Sequence, residues 1–233
     1  MSNQQTVVLL DGGMGQELIK RSANAPTPLW SATVMRDEPD LVTTVHADYI
    51  QADARVITLN NYSATPVRLA KHGLSTAFSE LHQAAITAAQ RAIAQTKPTH
   101  PVAVAGCLPP LVSSYHAEDV PSEAACLADY RALVAAQKDG VNLFLCETLT
   151  TVREVQTAAT AGKESGHPVW VGMTVDDQDG TRLRSGESLA DGVAAAKACG
   201  AAAVLINCSW PEAITQGLPI LAASGLPFGG YAN

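Results

Sequence analysis

The chain has 233 residues, of which 47% are apolar and 16% are charged, and its formal net charge is -7. This length is enough for one large hydrophobic core, while the acidic balance and the lack of a Lys/Arg cluster argue against a nucleic-acid partner. The apolar runs are too short to span a bilayer and the polar start MSNQQT has no apolar signal core, so we expect a cytoplasmic protein without a membrane partner.

Short apolar runs alternate with helical segments along the chain. The runs are continuous, as is typical of parallel strands that are covered on both faces. Seven of them predict strands, over residues 7–10, 56–59, 102–105, 142–146, 169–173, 203–206 and, more weakly, 227–231.

Helical periodicity fills the intervals between these runs. Thr151 and Glu154 form a capping box that opens a helix, and Gly162 is expected to end it. Ser188 is a suitable cap for a later helix, and the last helix follows Pro211. The other predicted helices cover residues 40–52, 74–95, 122–137 and 189–199.

This alternation of strands and crossover helices indicates right-handed βαβ units. Two α/β architectures fit it, an open doubly wound sheet and a (β/α)8 barrel. A complete barrel has eight strands and about 250 residues, and this chain offers seven strands. Because there is no internal repeat, low-complexity run or linker, we expect one domain over residues 1–233.

Polar or reactive side chains follow nearly every predicted strand. In a barrel, catalytic groups collect at these carboxyl ends. Strands must end in something polar, but two acids and a cysteine exceed that expectation. The residues at the strand ends are Asp11, Asn60, Asn61, Tyr62, Cys107, Glu147, Thr174, Asn207, Cys208, Tyr231 and Asn233.

Each acid also has a structural interpretation. Asp11 precedes two glycines and could shape a turn, and the stretch GGMG does not have the spacing of a phosphate-binding loop. Glu147 follows the apolar run LFLC and would be costly to bury without a partner, which favours a role in a site.

The five cysteines are odd in number, form no CxxC pair and predict free thiols rather than a disulfide framework. Cys126 and Cys199 are expected in the core, and Cys146 is expected to point away from Glu147. Cys107 is open to either interpretation. The six histidines share no ligand spacing, and we expect them to be solvated or hydrogen-bonded.

Five motifs, taken in order, resemble the homocysteine S-methyltransferase family. They are LLDGGMGQEL (9–18), PLWSA (28–32), VITLNNYSAT (56–65), CET (146–148) and INCS (206–209). Two further stretches, GCLPPLVSSY (106–115) and LRSGES (183–188), resemble a bacterial branch of the family. Together the motifs span essentially the whole chain.

The resemblance implies a TIM-type (β/α)8 barrel that transfers a methyl group to the sulfur of homocysteine, with zinc held by three cysteines. Cys208 matches one zinc ligand, while the GGCCG motif that carries the other two has no counterpart in this sequence. Glu147 matches the acid that holds the homocysteine amino group, Asp11 the acid after strand one, and Tyr62 the tyrosine after strand two. We place Asn207, beside Cys208, with the substrate-binding residues.

The expected reaction gives methionine, with S-methylmethionine or S-adenosylmethionine as the sulfonium donor. One cysteine does not hold zinc tightly, so we expect this chain to lack its last βα unit, to bind no catalytic zinc and to be inactive, unless Cys107 substitutes as a ligand. Dimerisation or domain swapping would cover the open sheet edges, and a homodimer is therefore one expected assembly.

Two other functions fit the same residues. One is a barrel lyase that uses Asp11 and Glu147 for proton transfer, which would tolerate replacement of Cys208 by serine. The other is a non-catalytic barrel that binds an amino acid or a partner protein.

Overall fold

One parallel sheet, whose strands follow the order of the chain, organises the computed structural model, which describes residues 7–25, 27, 29 and 31–232. A doubly wound sheet would reverse its strand order at a switch point, and this sheet does not. The prediction of an incomplete α/β barrel of (β/α)8 type is thus confirmed. The strands are β1 (Val56–Thr58), β2 (Ala103–Leu108), β3 (Leu143–Leu149), β4 (Val169–Met173), β5 (Ala203–Asn207) and β6 (Phe228–Tyr231).

Helices connect the strands and cover the outer face of the sheet. None of the helices in the described ranges is both long and apolar enough to cross a membrane. They are α1 (Met14–Arg21), α2 (Ser31–Asp37), α3 (Pro39–Gln51), α4 (Pro66–Lys71), α5 (Phe78–Thr96), α6 (Glu123–Gln137), α7 (Val152–Glu164), α8 (Leu189–Ala198) and α9 (Pro211–Ala223).

The sheet separates two apolar clusters, because successive side chains of a strand point to opposite faces. The larger cluster lies between strands and helices and includes Phe144, Cys146 and Ile206. A smaller inner cluster is built on the alternate residues of the same strands, including Leu145 and Leu205. Burial on both faces explains why the strands are continuous apolar runs in the sequence.

The predicted strand over residues 7–10 is wrong as an extended element. Only Leu10 pairs with Val56, in an isolated parallel bridge, and the side chains of Val7, Val8 and Leu9 are 88%, 45% and 50% exposed. Within the described residues this segment has β1 as its neighbour on one side and no strand on the other. Its apolar side chains therefore have no second surface to pack against.

Helix boundaries follow the predicted signals in most places. The capping box is confirmed, since the Thr151 hydroxyl accepts from the Glu154 N–H and the Glu154 carboxylate accepts from the Thr151 N–H. The prediction that Gly162 ends this helix is wrong, because α7 continues to Glu164. A Cβ at Gly162 would lie 2.9 Å from Val169, so the glycine serves close helix–strand packing instead. Helices α1, α2 and α4 were not predicted.

Gly217 allows a similarly close approach of α9 to β5. A Cβ at this position would lie 2.4 Å from the Ile206 side chain and 2.9 Å from the Gly180 carbonyl oxygen. Alanine normally stabilises a helix relative to glycine by up to about 1 kcal/mol. At Gly217 the cost of overpacking should exceed this gain in helix propensity. We expect Gly217→Ala to lower the free energy of unfolding by about 1–3 kcal/mol in urea denaturation.

Thr215→Ala is the matched control, because Thr215 lies in the same helix and is exposed. Its effect should stay within about 0.5 kcal/mol. A Gly217→Ala variant as stable as the parent chain would show that α9 does not need this contact.

Candidate functional site

A cavity of about 700 Å³ opens at the carboxyl ends of the strands. This volume lies within the range of small-molecule sites, about 300–1,000 Å³. Asp11, Tyr62, Glu147 and Cys208, which come from four separate motifs, all line it, together with Tyr231. The carboxyl ends of parallel strands meet at one edge, and this places residues up to 220 positions apart in one site.

Glu147 points into the barrel because it continues the inward series of Leu143 and Leu145 along β3. The Cys107 thiol donates to its Oε1 at 2.8 Å, and the Tyr231 hydroxyl donates to its Oε2 at 3.0 Å. Burial raises the pKa of this carboxyl, and the two hydrogen bonds lower it in part. Among the described residues, no Lys, Arg or His forms an ion pair with Glu147.

Asp11 supplies a second carboxylate to the same cavity. Its Oδ2 accepts the Thr58 N–H at 2.6 Å and its Oδ1 accepts the Thr58 hydroxyl at 3.1 Å. Burial, with a smaller contribution from the charge of Glu147, raises the pKa of Asp11 to about 7. Two acids that repel each other, with no cation partner in the part of the chain that the structure describes, make this end of the cavity a site for a positive group.

A buried amide network holds Cys208 at the end of β5. The Cys208 Sγ accepts from the Thr148 hydroxyl at 3.4 Å and from the Asn207 Nδ2 at 3.3 Å. The Asn207 Oδ1 also accepts the Thr148 N–H at 2.9 Å, and its Nδ2 donates to the Thr148 hydroxyl at 2.9 Å. Thr148 and Cys208 both have left-handed backbone conformations, with φ of 63° and 53°. A strained backbone conformation persists where surrounding contacts hold it in place, and this hydrogen-bond network provides those contacts.

Asn207 lies behind the cavity wall rather than in it. It is fully buried and its polar groups are used by Thr148 and Cys208. A Cβ at Gly172 would come within 2.9 Å of its Oδ1, so the glycine in β4 makes room for the amide. These hydrogen bonds hold Thr148 and Cys208 in place, and the expected contact of Asn207 with substrate stays a prediction.

Several residues of the site were not singled out from the sequence. Arg184 donates to the Thr174 hydroxyl at 3.0 Å and to the Cys208 carbonyl at 3.3 Å, and its guanidinium lies 4.8 Å from the centre of the Tyr115 ring. The only sequence signal for it is its place in the LRSGES stretch. Arg68, on α4, lines the cavity and lies 5.2 Å from the centre of the Tyr62 ring.

The side chains of the described residues do not fit a complete zinc site. Within residues 7–25, 27, 29 and 31–232 no three His, Cys, Asp or Glu side chains are grouped to hold a metal ion. The sulfur of Cys208 contacts an alcohol and an amide, and that of Cys107 donates to Glu147. Among the described residues, Cys208 is the one cysteine that lines the cavity.

Predicted residues outside the cavity have various placements. Cys126 and Cys146 are buried, and Cys199 is half-buried. His46 is fully buried and neither ring nitrogen has a hydrogen-bond partner in the described part of the chain, so the expectation of a solvated or bonded histidine is wrong there. Burial lowers its pKa to about 4, which keeps the ring neutral. Pro28 and Trp30 of the PLWSA motif, and Asn233, lie outside the described residues.

A chain-ordered parallel sheet with acids and a thiol at its carboxyl ends defines an α/β-barrel enzyme whose site lies at the strand ends. The model of the homocysteine S-methyltransferase family matches residues 8–233, and the chain belongs to this family of methyltransferases. The expected family is thereby confirmed.

Individual relatives agree with this assignment. Homocysteine S-methyltransferase of Escherichia coli (strain K12) is 33% identical over 251 residues, which cover 99% of this chain and 79% of that protein. Selenocysteine Se-methyltransferase of Brassica oleracea var. italica is 29% identical, with 88% of this chain and 66% of that protein covered. The crystal structure of the Escherichia coli homocysteine methyltransferase MmuM in its metallated form matches with a TM-score of 0.84 at 28% identity, covering 98% of this chain and 92% of that one.

The raised pKa of Asp11 makes a testable contribution to stability. The folded state retains a proton that the unfolded state loses above pH 3.8, so stability should fall as pH rises from that value through about 7. Asp11→Asn removes this dependence. Between pH 4.5 and pH 8, we expect the stability of the variant relative to the parent to improve by roughly 1–3 kcal/mol in urea denaturation.

Asp139→Asn, which removes an exposed carboxylate outside the cavity, serves as the control and should run parallel to the parent at all pH values. If Asp11→Asn also runs parallel, then Asp11 ionises as an ordinary surface acid.

Proposed function

We propose that this chain binds homocysteine in the cavity at the strand ends, as a single domain built for methyl transfer to the homocysteine sulfur. Family membership supports this proposal, and the observation that carries it is the pair of carboxylates, Asp11 and Glu147, that lack a cation partner among the described residues. A cytoplasmic role in methionine biosynthesis follows from the product of such a reaction.

Glu147 is proposed to hold the ammonium of homocysteine. Its oxygens keep further acceptor capacity beyond the hydrogen bonds from Cys107 and Tyr231, and a charge-assisted hydrogen bond to an ammonium is stronger than a neutral one. A bound ammonium would also offset the cost of burying the charge. Asp11 supplies a second carboxyl group in the same cavity, and with its pKa raised to about 7 it is about half ionised at neutral pH.

The methyl group moves between two sulfur atoms. The homocysteine thiol loses its proton to solvent, and its thiolate attacks the methyl carbon of a sulfonium donor. A new S–C bond forms as the S–C bond of the donor breaks, and the donor leaves as a neutral thioether. S-methylmethionine and S-adenosylmethionine both satisfy this balance. The protein positions the two sulfurs in line and keeps competing water away from them.

Zinc, when bound in this family, would lower the pKa of the substrate thiol, and Cys208 is the ligand that this chain offers. The described residues do not complete such a site. We therefore propose that the 233-residue chain by itself holds no zinc tightly and does not turn over.

A homodimer belongs to the same proposal. The apolar side chains of Val7 and Phe228, at opposite edges of the sheet, are 88% and 47% exposed, and a second copy would cover them. Sedimentation of the chain at micromolar concentration would show a single monomeric species if this part is wrong.

Metal content and turnover test the zinc proposal directly. After incubation with zinc and removal of the excess, we expect far less than one zinc per chain and no homocysteine-dependent methyl transfer. Elemental analysis and a methionine assay measure the two quantities. Stoichiometric, tightly held zinc would contradict the proposal, and its loss in both Cys107→Ser and Cys208→Ser would identify Cys107 as a second ligand.

Replacement of Glu147 tests the binding of homocysteine. Glu147→Gln retains the size and one acceptor oxygen but removes the charge, and we expect the Kd for homocysteine to rise about tenfold or more in calorimetry. The variant should fold, because an uncompensated buried charge is removed.

Glu164→Gln is the control, since Glu164 pairs with Arg131 on the surface and is not in the cavity lining. It should leave the Kd unchanged. Unchanged affinity in Glu147→Gln as well would rule out the ammonium contact.

A further inference from the structure

The cavity has a second, basic end that the binding of homocysteine does not use. Arg68, Lys71 and His72, at the carboxyl end of α4, line this part of the wall. Residues three positions apart in a helix share a face, so Arg68 and Lys71 present their charges on the same side. One cavity thus combines two acids, Asp11 and Glu147, with a basic cluster from α4.

Arg68 is held in place by two backbone carbonyls and an aromatic ring. Its Nε donates to the Val112 carbonyl at 2.8 Å, its Nη1 donates to the Tyr62 carbonyl at 3.2 Å, and the guanidinium lies over the Tyr62 ring. Neither Arg68 nor Lys71 forms an ion pair with any carboxylate of the described residues.

A half-buried guanidinium that is fixed by two carbonyls retains donors for a planar anion. Because these contacts hold the side chain before a ligand arrives, little conformational entropy is lost when an anion binds. A carboxylate is the anion that suits this geometry, since it accepts from the guanidinium and from a nearby ammonium at once.

Tyr62 lines the cavity together with Arg68 and Glu147. Its hydroxyl is 2.8 Å from the Ser114 Oγ, and the charges of Arg68 and Glu147 act on its pKa in opposite directions, while burial raises that pKa. In an α-amino acid the ammonium and the carboxylate share one carbon. Homocysteine held at Glu147 would therefore keep its own carboxylate near Glu147, which leaves the basic cluster of α4 for a second substrate.

We propose that Arg68 and Lys71 bind the carboxylate of the methyl donor, an amino-acid sulfonium. This inference rests on the proposed function, because it assigns the basic end to the second substrate of the same site. The donor would then extend past Tyr62, with its positive sulfur directed to the acidic end, where Asp11 and Glu147 favour a cation. The two ends of the cavity would orient donor and acceptor with their sulfurs facing each other.

Calorimetry on the full 233-residue chain tests this assignment with S-methylmethionine, its methyl ester and homocysteine as separate probes. The ester keeps the sulfonium and the ammonium but has no carboxylate charge. We expect the parent chain to bind S-methylmethionine about tenfold more tightly than the ester. The binding of S-adenosylmethionine is measured in the same way and shows whether the cavity also admits a donor with a nucleoside.

Arg68→Gln and Lys71→Gln should each weaken S-methylmethionine about three- to tenfold and leave the ester and homocysteine unaffected. Lys71 is exposed and makes no hydrogen bond in the described part of the chain, so its replacement does not endanger folding. Arg91→Gln is the control, because Arg91 pairs with Asp40 and is not in the lining of this cavity.

Three results would overturn the proposal: equal affinity of the parent for acid and ester, no binding of either sulfonium, or a loss of homocysteine affinity in the Arg68 and Lys71 variants. The last would assign the basic end to the acceptor. If homocysteine does not bind the parent while S-methylmethionine binds in an Arg68-dependent way, the proposed function fails and the carboxylate subsite stands.

Discussion

Burial of the Glu147 carboxylate, which has no cation partner within the described ranges, is the constraint on which the site depends. The inward alternation of β3 places this charge inside the barrel, where it must be hydrogen-bonded to be tolerated. The Cys107 thiol of β2 and the Tyr231 hydroxyl of β6 supply those bonds. Tyr231 belongs to β6, which is three strands away from the β3 strand of Glu147. The hydrogen bond between them crosses the interior, so the sheet must curl. Among the described residues no positive group balances the Glu147 carboxylate, and a substrate ammonium would supply one.

A second constraint fixes the thiol of Cys208. Thr148 and Asn207, at the ends of β3 and β5, exchange hydrogen bonds with each other and both donate to the Cys208 sulfur. The left-handed conformations of Thr148 and Cys208 turn the chain where the strands end. Strain of this kind is maintained by complete hydrogen bonding beneath it, and Asn207 provides that bonding while remaining buried. Glu147 and Cys208 therefore share a rigid support, since Thr148 directly follows the acid.

The wall of the cavity carries both acidic and basic side chains. Asp11 and Glu147 supply acids to its wall, α4 supplies the bases Arg68 and Lys71, and Tyr62 is part of the same lining. A methyl transfer between the sulfur atoms of two amino acids, as proposed above, would use such polarity, because each zwitterion must be held at its head and leave its sulfur free. The charge pattern thus accords with the family to which the chain belongs.

The sequence by itself determined the alternation of strands and helices. It also determined the common edge at which Asp11, Tyr62, Glu147 and Cys208 meet, because parallel strands bring their carboxyl ends together whatever their separation in the chain. Local features such as the capping box could also be predicted from the sequence, since they depend on residues a few positions apart. Tertiary structure alone decided the rest. Whether residues 7–10 pair as a strand depends on neighbours on both sides, and whether a helix continues past its glycine depends on what packs against it. The Cys107–Glu147 hydrogen bond, and the lack of an ion pair at Arg68 among the described residues, depend on distances between segments, and no pattern within a segment encodes a distance.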